Sequence, residues 1–240
     1  MPFPRPHVLV NVAMTADGKI DTVERRGARI SSPEDIAAVD ALRAEVDAVM
    51  VGGATFLAED PRLTVRDAAR IAERRSRGEP DQPRKVAVVS VLPETPAATS
   101  RFLHDGGGPV SIFTTRRSGA SAIAAWRSAG ADVTVSGGDV AVAGADRVDL
   151  GAALSHLAGA GVRTLLVEGG GTLIAALFGD GLVDELRQYV APFVVGGRAA
   201  PTPFDGEGLP FSGQVALELT GSERLGVGIA LRYMVRRPTA

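Results

Sequence analysis

The chain of 240 residues contains no cysteine. This absence excludes disulfide bonds, thiolate zinc sites and cysteine nucleophiles, and it suits a reducing cytoplasm, where we expect the protein to act. The three histidines, His7, His104 and His156, show no metal-ligand spacing, so we predict no bound metal. Aromatic residues make up only 5% of the chain, against 45% hydrophobic residues. We therefore expect a core of Ala, Val, Leu and Ile, which suits α/β layers.

The chain also lacks a strong charge of either sign and a long hydrophobic run. Its formal net charge of −2 gives no overall field that would attract nucleic acid. The arginine-rich segment 67–83 is interleaved with acidic residues, and we predict that it is a solvated helix and loop. No apolar run approaches the length of a membrane span. We predict a small-molecule partner and neither a nucleic-acid nor a membrane partner.

Short β-branched segments alternate with helix-like segments along most of the chain. The predicted strands are 8–13, 48–51, 86–91, 110–114, 133–135 and 164–167. One predicted covering helix begins after Ser32, and two others span 120–129 and 152–157. This alternation predicts a mostly parallel sheet covered on both sides. After Gly181, strands at 183–195, 215–220 and 226–235 without intervening helices predict an antiparallel edge within a single domain, 1–240.

The first helix has a well-marked start. Ser32 is a candidate N-cap, and Pro33 suits the first helical position. Four apolar residues recur at helical spacing, and we expect them to bury one face: Ile36, Val39, Leu42 and Val46.

Two glycine-containing segments each follow a predicted strand. The segment VRTLLVEGGGTL (162–173) ends a strand at Glu168 and continues through three glycines into an apolar helix. VGGAT (51–55) follows the strand 48–51 in the same way. Free amides at a helix start suit a phosphate, and glycines allow its close approach. Because open α/β sheets bind ligands at the carboxyl ends of their strands, the two segments together predict a dinucleotide site.

Three stretches in order, NVAMTADGKI (11–20), VGGATFLAEDPRLTVR (51–66) and VEGGGT (167–172), resemble the pyrimidine reductase of riboflavin biosynthesis. The segment 181–197 fits the same family, whose reductase unit forms half of a bacterial bifunctional deaminase–reductase and stands alone in archaea and fungi. The resemblance implies a dihydrofolate-reductase-like three-layer fold, NADPH as cofactor and a homodimer. It also implies hydride transfer to C1′ of a ribosylamino-pyrimidine 5′-phosphate. Since the deaminase half needs zinc-binding cysteines, the chain resembles a stand-alone reductase of the 2,5-diamino substrate.

The resemblance also implies residue roles. The implied cofactor contacts are Ala13, Met14, Gly53, Thr55, Glu59, Ser90, Gly169, Gly170, Gly171 and Thr172. The implied substrate contacts are Asn11, Arg43, Leu63, Arg66 and Glu168. Glu59 stands where the family commonly has Asp, whereas Asp60 and Pro61 are expected to shape the loop. The segment 114–117 is a candidate reader of the cofactor 2′-phosphate.

No residue stands out as the general acid. Asp17, Lys19 and Glu168 are candidates, and bound water serves equally well. The turn at 17–19 fits both a structural turn and a loop that closes over the nicotinamide.

Two other functions stay open at this point: an NADPH reductase of a deaminated pyrimidine, a pterin or another heterocycle, and a non-catalytic nucleotide-binding module. Arg43 and Arg66 favour a phosphorylated substrate. The apolar content of 183–195 and 225–235 suggests that the dimer surface lies there.

Overall fold

A computed structural model describes residues 4–25, 27–96, 98–136 and 147–236. The chain divides into two compact units. Unit one comprises Met1–Pro6 and Arg43–Leu165, and unit two comprises His7–Leu42 and Leu166–Ala240. Within the described residues, no helix is both long enough and apolar enough to cross a membrane.

The helices and strands alternate as predicted. In chain order they are β1 (His7–Thr15), α1 (Pro33–Glu45), β2 (Ala48–Gly52), α2 (Gly53–Glu59), α3 (Ala68–Ser76), β3 (Arg84–Val88), α4 (Arg101–His104), β4 (Val110–Thr114), α5 (Ala120–Ser128), β5 (Asp132–Val135), α6 (Leu150–Gly159), β6 (Thr164–Val167), α7 (Gly171–Gly179), β7 (Glu185–Ala191), β8 (Leu217–Leu225) and β9 (Gly228–Val235). The strands are mostly parallel and the last ones antiparallel, which confirms the predicted fold class.

Unit one contains the parallel strands β2 to β5, which pair in the order β5-β4-β3-β2. Every residue of β2 and β4 is buried, as expected of parallel strands covered on both faces. One buried residue of β3 is charged: Lys85 donates to the carbonyl oxygens of Phe102 and Asp105, each at 2.6 Å. Burial lowers the pKa of Lys85. Its ammonium group stabilises the carboxyl end of the short helix α4.

Unit two contains β1, which pairs in parallel with β7, and the antiparallel strands β9 and β8. β7 is shorter than the predicted 183–195, because Pro192, which has no amide hydrogen, follows its last residue. β8 begins later than predicted and continues past Gly221, where the register shifts. The antiparallel edge was therefore predicted correctly, although the strand bounds were not.

Helix α1 begins as predicted, because the Ser32 hydroxyl accepts a hydrogen bond from the Asp35 amide at 3.2 Å. The predicted buried face is wrong for Ile36, whereas Val46 is buried and Val39 and Leu42 are half-buried. Ile36 is 42% exposed, whereas Asp35 and Ala44 are buried. Burial of Asp35 is compensated by an ion pair with Arg187 on β7, at 2.8 Å.

The arginine-rich segment contains a helix, α3, as predicted, and Asp67 caps its first turn. The prediction of a solvated segment is wrong for Arg74, which is 2% exposed. Its guanidinium donates to the carbonyl oxygens of Ala44 and Val46, both at 2.9 Å, and to that of Pro80 at 2.8 Å. Carbonyl oxygens at the end of α1 and at Pro80 thus compensate this buried charge.

Candidate active site

The triple-glycine segment joins β6 to α7. Glu168 is half-buried directly after β6. Gly169 has φ +114°, a conformation that glycine adopts most readily, and the Gly169–Gly170 peptide is cis. Gly170 is the N-cap of α7 and supplies no side-chain hydrogen bond. A helix start whose N-cap residue has no side chain fits an anion-binding helix start.

Gly171 has a packing role that the sequence did not reveal. A Cβ atom at this position would lie 2.2 Å from the carbonyl oxygen of Thr202 and 3.2 Å from the amide nitrogen of Asp205. The segment 202–205 therefore requires glycine here whether or not a ligand is bound. Thr172, the next residue, is exposed in the first turn of α7.

The turn after β1 is tied to the segment 195–200. The Asp17 carboxylate accepts hydrogen bonds from the Thr15 hydroxyl and from the amides of Val195 and Gly196. The Thr15 hydroxyl is the main cause that lowers the pKa of Asp17 to about 2. Lys19 donates to the carbonyl oxygen of Ala200 at 3.1 Å. Asp17 therefore carries no proton to donate at neutral pH, and the structure favours the structural turn.

The strand β1 carries three of the sequence-predicted contacts. Neighbouring strand residues point to opposite faces, so the side chains of Ala13 and Met14 do not share one surface. Met14 faces Gln188, whose amide nitrogen lies 3.9 Å from its sulfur. Asn11 is buried and accepts a hydrogen bond from Arg187 at 2.7 Å. The sequence did not reveal the role of Arg187, which contacts Asn11, or of Asp35, which contacts Arg187.

Unit one carries the second glycine segment. β2 ends at Gly52, which is the N-cap of α2 and supplies no side-chain hydrogen bond. A Cβ atom on Gly53 would lie 3.1–3.3 Å from atoms of Val89, so the helix start packs tightly against the residue after β3. Thr55 is half-buried in the first turn. The N-cap residue of α2, like that of α7, is thus a glycine.

The EDP motif ends α2. Glu59 is exposed, and its carbonyl oxygen accepts a hydrogen bond from Arg101. The Asp60 carboxylate accepts from the amides of Arg101 and Phe102 at 2.6 and 2.9 Å. Burial would raise the pKa of Asp60, but these hydrogen bonds hold it below its ordinary value. The prediction that Asp60 shapes the loop is confirmed.

The segment LTVR (63–66) is held firmly within unit one. Arg43 donates to the carbonyl oxygen of Thr64 at 3.1 Å. The Gln82 side chain pairs with both backbone groups of Val65, at 2.7 and 3.0 Å. Leu63 is buried with φ +50°, an unusual conformation for a residue with a side chain. The structure thus brings Arg43 to the segment that carries Leu63 and the exposed Arg66.

Ser90 lies two residues beyond the end of β3, and its carbonyl oxygen accepts a hydrogen bond from the Thr115 hydroxyl at 2.7 Å. The Thr114 hydroxyl is bonded to that of Ser118 at 2.5 Å, and both threonines are fully buried. Neither hydroxyl is available to a cofactor phosphate, so the prediction for Thr114 and Thr115 is wrong. Arg116 and Arg117 are exposed.

The described residues therefore place the sequence-predicted contacts in two groups. Unit two holds Asn11, Ala13, Met14, Asp17, Lys19, Glu168, Gly169, Gly170, Gly171 and Thr172, and unit one holds Arg43, Gly53, Thr55, Glu59, Leu63, Arg66 and Ser90. Over the ranges that the structure describes, no group of three or more His, Asp or Glu residues could hold a metal ion.

Comparison with known proteins places the chain in a family. The RibD C-terminal domain model matches residues 6–231. The chain is 43% identical over 233 residues to the 2,5-diamino-6-ribosylamino-4(3H)-pyrimidinone 5′-phosphate reductase of Archaeoglobus fulgidus, covering 97% of this chain and 100% of that protein. It is 40% identical to the protein of the same name from Methanothermobacter thermautotrophicus, covering 97% and 99%.

Solved structures agree on the fold. A pyrimidine reductase-like protein from Corynebacterium diphtheriae has a TM-score of 0.77 at 19% identity, covering 97% of this chain and 92% of that one. Acinetobacter baumannii RibD has a TM-score of 0.75 at 24% identity, and the chain spans 58% of its length. With a family match over most of its residues, this chain belongs to the RibD C-terminal domain family.

Proposed function

We propose that the chain is an NADPH-dependent oxidoreductase of riboflavin biosynthesis that reduces 2,5-diamino-6-ribosylamino-4(3H)-pyrimidinone 5′-phosphate to its ribitylamino form. The observation that carries this proposal is the 43% identity, over the full length of the relative, to an archaeal reductase named for that substrate. Residues 1–240 contain no cysteine, so they do not themselves include a zinc deaminase site with cysteine ligands.

Two helix starts fit the phosphates of the cofactor. Gly53 and Thr55 lie at the start of α2, and Gly169 to Thr172 lie at the start of α7. The N-cap residue of each helix is a glycine that supplies no side-chain hydrogen bond. Ala13, Met14, Glu59 and Ser90 are the further proposed contacts. When bound, NADPH supplies the hydride that C1′ of the substrate accepts.

The remaining residues would bind and orient the substrate. Arg43 and Arg66 suit the ribose phosphate, because guanidinium groups form paired, charge-assisted hydrogen bonds with it. Leu63, Asn11 and Glu168 are the other proposed contacts. Opening of the ribose leaves a C1′=N bond; C1′ then gains the hydride and the nitrogen gains a proton. Most of the acceleration comes from holding C1′ in position.

The proposal includes a cytoplasmic homodimer in which residues 1–240 act as one reductase domain. The homodimer is supported by the apolar surface of the last strands. Leu219 is 56% exposed there, and Val227, in the turn between β8 and β9, is 68% exposed. Burial of such residues stabilises association.

Steady-state turnover tests the function. With NADPH, kcat/KM should be higher for the 2,5-diamino substrate than for its deaminated uracil counterpart. With the 2,5-diamino substrate, kcat/KM should be lower with NADH than with NADPH. Preference for the uracil form would support the alternative reductase. NADPH binding without turnover of either compound would support a nucleotide-binding module.

Arg66→Met tests the phosphate contact. Loss of charge-assisted hydrogen bonds should raise the substrate KM by roughly 10–100-fold, with the Kd for NADPH unchanged. Arg75→Met, at an exposed arginine paired with Asp81, is the matched control and should leave the KM unaltered. An unchanged KM in Arg66→Met would contradict the assignment.

A further inference from the structure

Three buried polar side chains in unit two are linked by hydrogen bonds: Asn11, Arg187 and Asp35. Arg187 donates through one terminal nitrogen to Oδ1 of Asn11 at 2.7 Å and through the other to Oδ1 of Asp35 at 2.8 Å. Asn11 and Arg187 lie directly opposite each other on β1 and β7, and Asp35 lies in the first turn of α1. All three side chains are buried.

The arginine fixes the orientation of the Asn11 amide. An asparagine side chain has one accepting oxygen and one donating NH₂ group, whereas a guanidinium group only donates and stays protonated. The oxygen must therefore face Arg187, since the reverse orientation would place N–H groups against N–H groups. The NH₂ group of Asn11 points away from Arg187.

Stability alone does not explain this arrangement. Oδ2 of Asp35 is buried and has no hydrogen-bond partner within the part of the chain that is described. A buried carboxylate oxygen without a partner is destabilising, and apolar replacements of buried ion pairs are often neutral or stabilising. The contact that gives this ion pair a further role is the hydrogen bond from Arg187 to Asn11.

We propose that Arg187, held by Asp35, is a positioning residue that makes Asn11 present only N–H donors to the substrate. This inference rests on the proposed function, in which Asn11 contacts the substrate. The atom that faces Asn11 is then a hydrogen-bond acceptor, such as a carbonyl oxygen or an unprotonated ring nitrogen of the pyrimidinone.

An exchange of the two outer residues separates this role from a structural one. The double variant Asn11→Asp with Asp35→Asn keeps the composition, the net charge and two acceptors for Arg187, but removes the donors at position 11. The substrate KM should rise at least roughly tenfold, with the Tm and the Kd for NADPH close to wild type. A wild-type KM in the folded double variant overturns the proposal. Gln214→Glu, an exposed amide-to-carboxylate change, is the control and should keep the wild-type KM.

NMR spectroscopy gives a second readout that needs no turnover. Asn11 is the only asparagine of the chain, so labelling with ¹⁵N-asparagine yields one side-chain NH₂ group. In wild type without ligand, the ¹⁵N relaxation of this NH₂ group should be that of a rigid side chain, and Arg187→Met with Asp35→Leu, which adds no second asparagine, should make the group mobile. Relaxation typical of a mobile side chain in wild type would show that Arg187 does not fix the orientation of the Asn11 amide.

Addition of 2,5-diamino-6-ribosylamino-4(3H)-pyrimidinone 5′-phosphate should shift both proton signals. Unshifted signals at saturating substrate, with turnover intact, overturn the substrate contact. If the NH₂ group is rigid but the protein neither binds nor turns over this substrate, the proposed function and the substrate contact of Asn11 are both refuted. The orientation of Asn11 by Arg187 would still be supported.

Discussion

At the scale of single residues, two buried arginines have different roles. Arg187 orients a neighbouring amide, whereas Arg74 donates hydrogen bonds to backbone carbonyl groups at the end of α1. Local sequence does not distinguish Arg74 from its exposed neighbours, because its partners at Ala44 and Val46 are about thirty residues away along the chain. Asp35 likewise matches a first-turn acid that favours the helix dipole, and only its contact with β7 reveals another role.

Arg74→Met should lower the free energy of unfolding by about 2–4 kcal/mol, because it removes three hydrogen bonds from a buried guanidinium group to backbone carbonyl oxygens. Urea denaturation measures this change. Arg75→Met removes only an exposed ion pair and should cost less than about 1 kcal/mol. Equal losses in the two variants would show that Arg74 is not a structural arginine.

At the scale of helices and strands, the structure reveals a packing role for a glycine that the sequence had linked only to ligand binding, Gly171. The sequence showed where β2 and β6 end and where α2 and α7 begin, because apolar runs meet glycines there. It did not show that Gly171 contacts Thr202, which lies in a loop of no regular pattern. The positive φ of Leu63 was also hidden, since it depends on the contacts that Arg43 and Gln82 make to the next residues.

Gly171→Ala should lower the free energy of unfolding by about 1–3 kcal/mol, because the added methyl group overlaps the Thr202 carbonyl oxygen. Gly179→Ala, at the other end of α7, meets its nearest atom at 3.8 Å and should be neutral or slightly stabilising. Thermal denaturation compares the two variants. Equal stability of both would refute the packing role.

The hydrogen bonds that the Asp17 carboxylate accepts should make the free energy of unfolding depend on pH in the acid range. The pKa of Asp17 is lowered from 3.8 to about 2 in the folded chain. A lowered pKa contributes stability that is fully present above about pH 4 and is lost as the pH falls through 2. The stability difference between wild type and Asp17→Asn should therefore be constant above pH 5 and shrink towards pH 2. A difference that is the same at pH 2 and pH 6 would contradict this tie.

At the scale of the whole molecule, the alternation of strands and helices was sufficient to predict the fold class, and three motifs in order were sufficient to identify the family. The buried face of α1 was not predictable from periodicity, because an ion pair to β7 places Asp35 inside and leaves Ile36 outside. Oligomeric state is a property of the same scale.

We expect sedimentation to give twice the chain mass of 24.8 kDa. Leu219→Glu places a charge at an exposed apolar residue of β8 and should shift the protein towards monomer. Ile36→Glu, at an exposed apolar residue of α1, should keep the dimer. A wild-type mass of one chain would rule out the homodimer.

The most direct test of the reductase function follows a labelled hydrogen. The enzyme is supplied with NADPH deuterated at both C4 positions and with the 2,5-diamino substrate, and the product is analysed by mass spectrometry and NMR. The account predicts one deuterium per product molecule, located at C1′ of the ribityl chain. Product without deuterium, or no product from folded protein that binds both compounds, would contradict it.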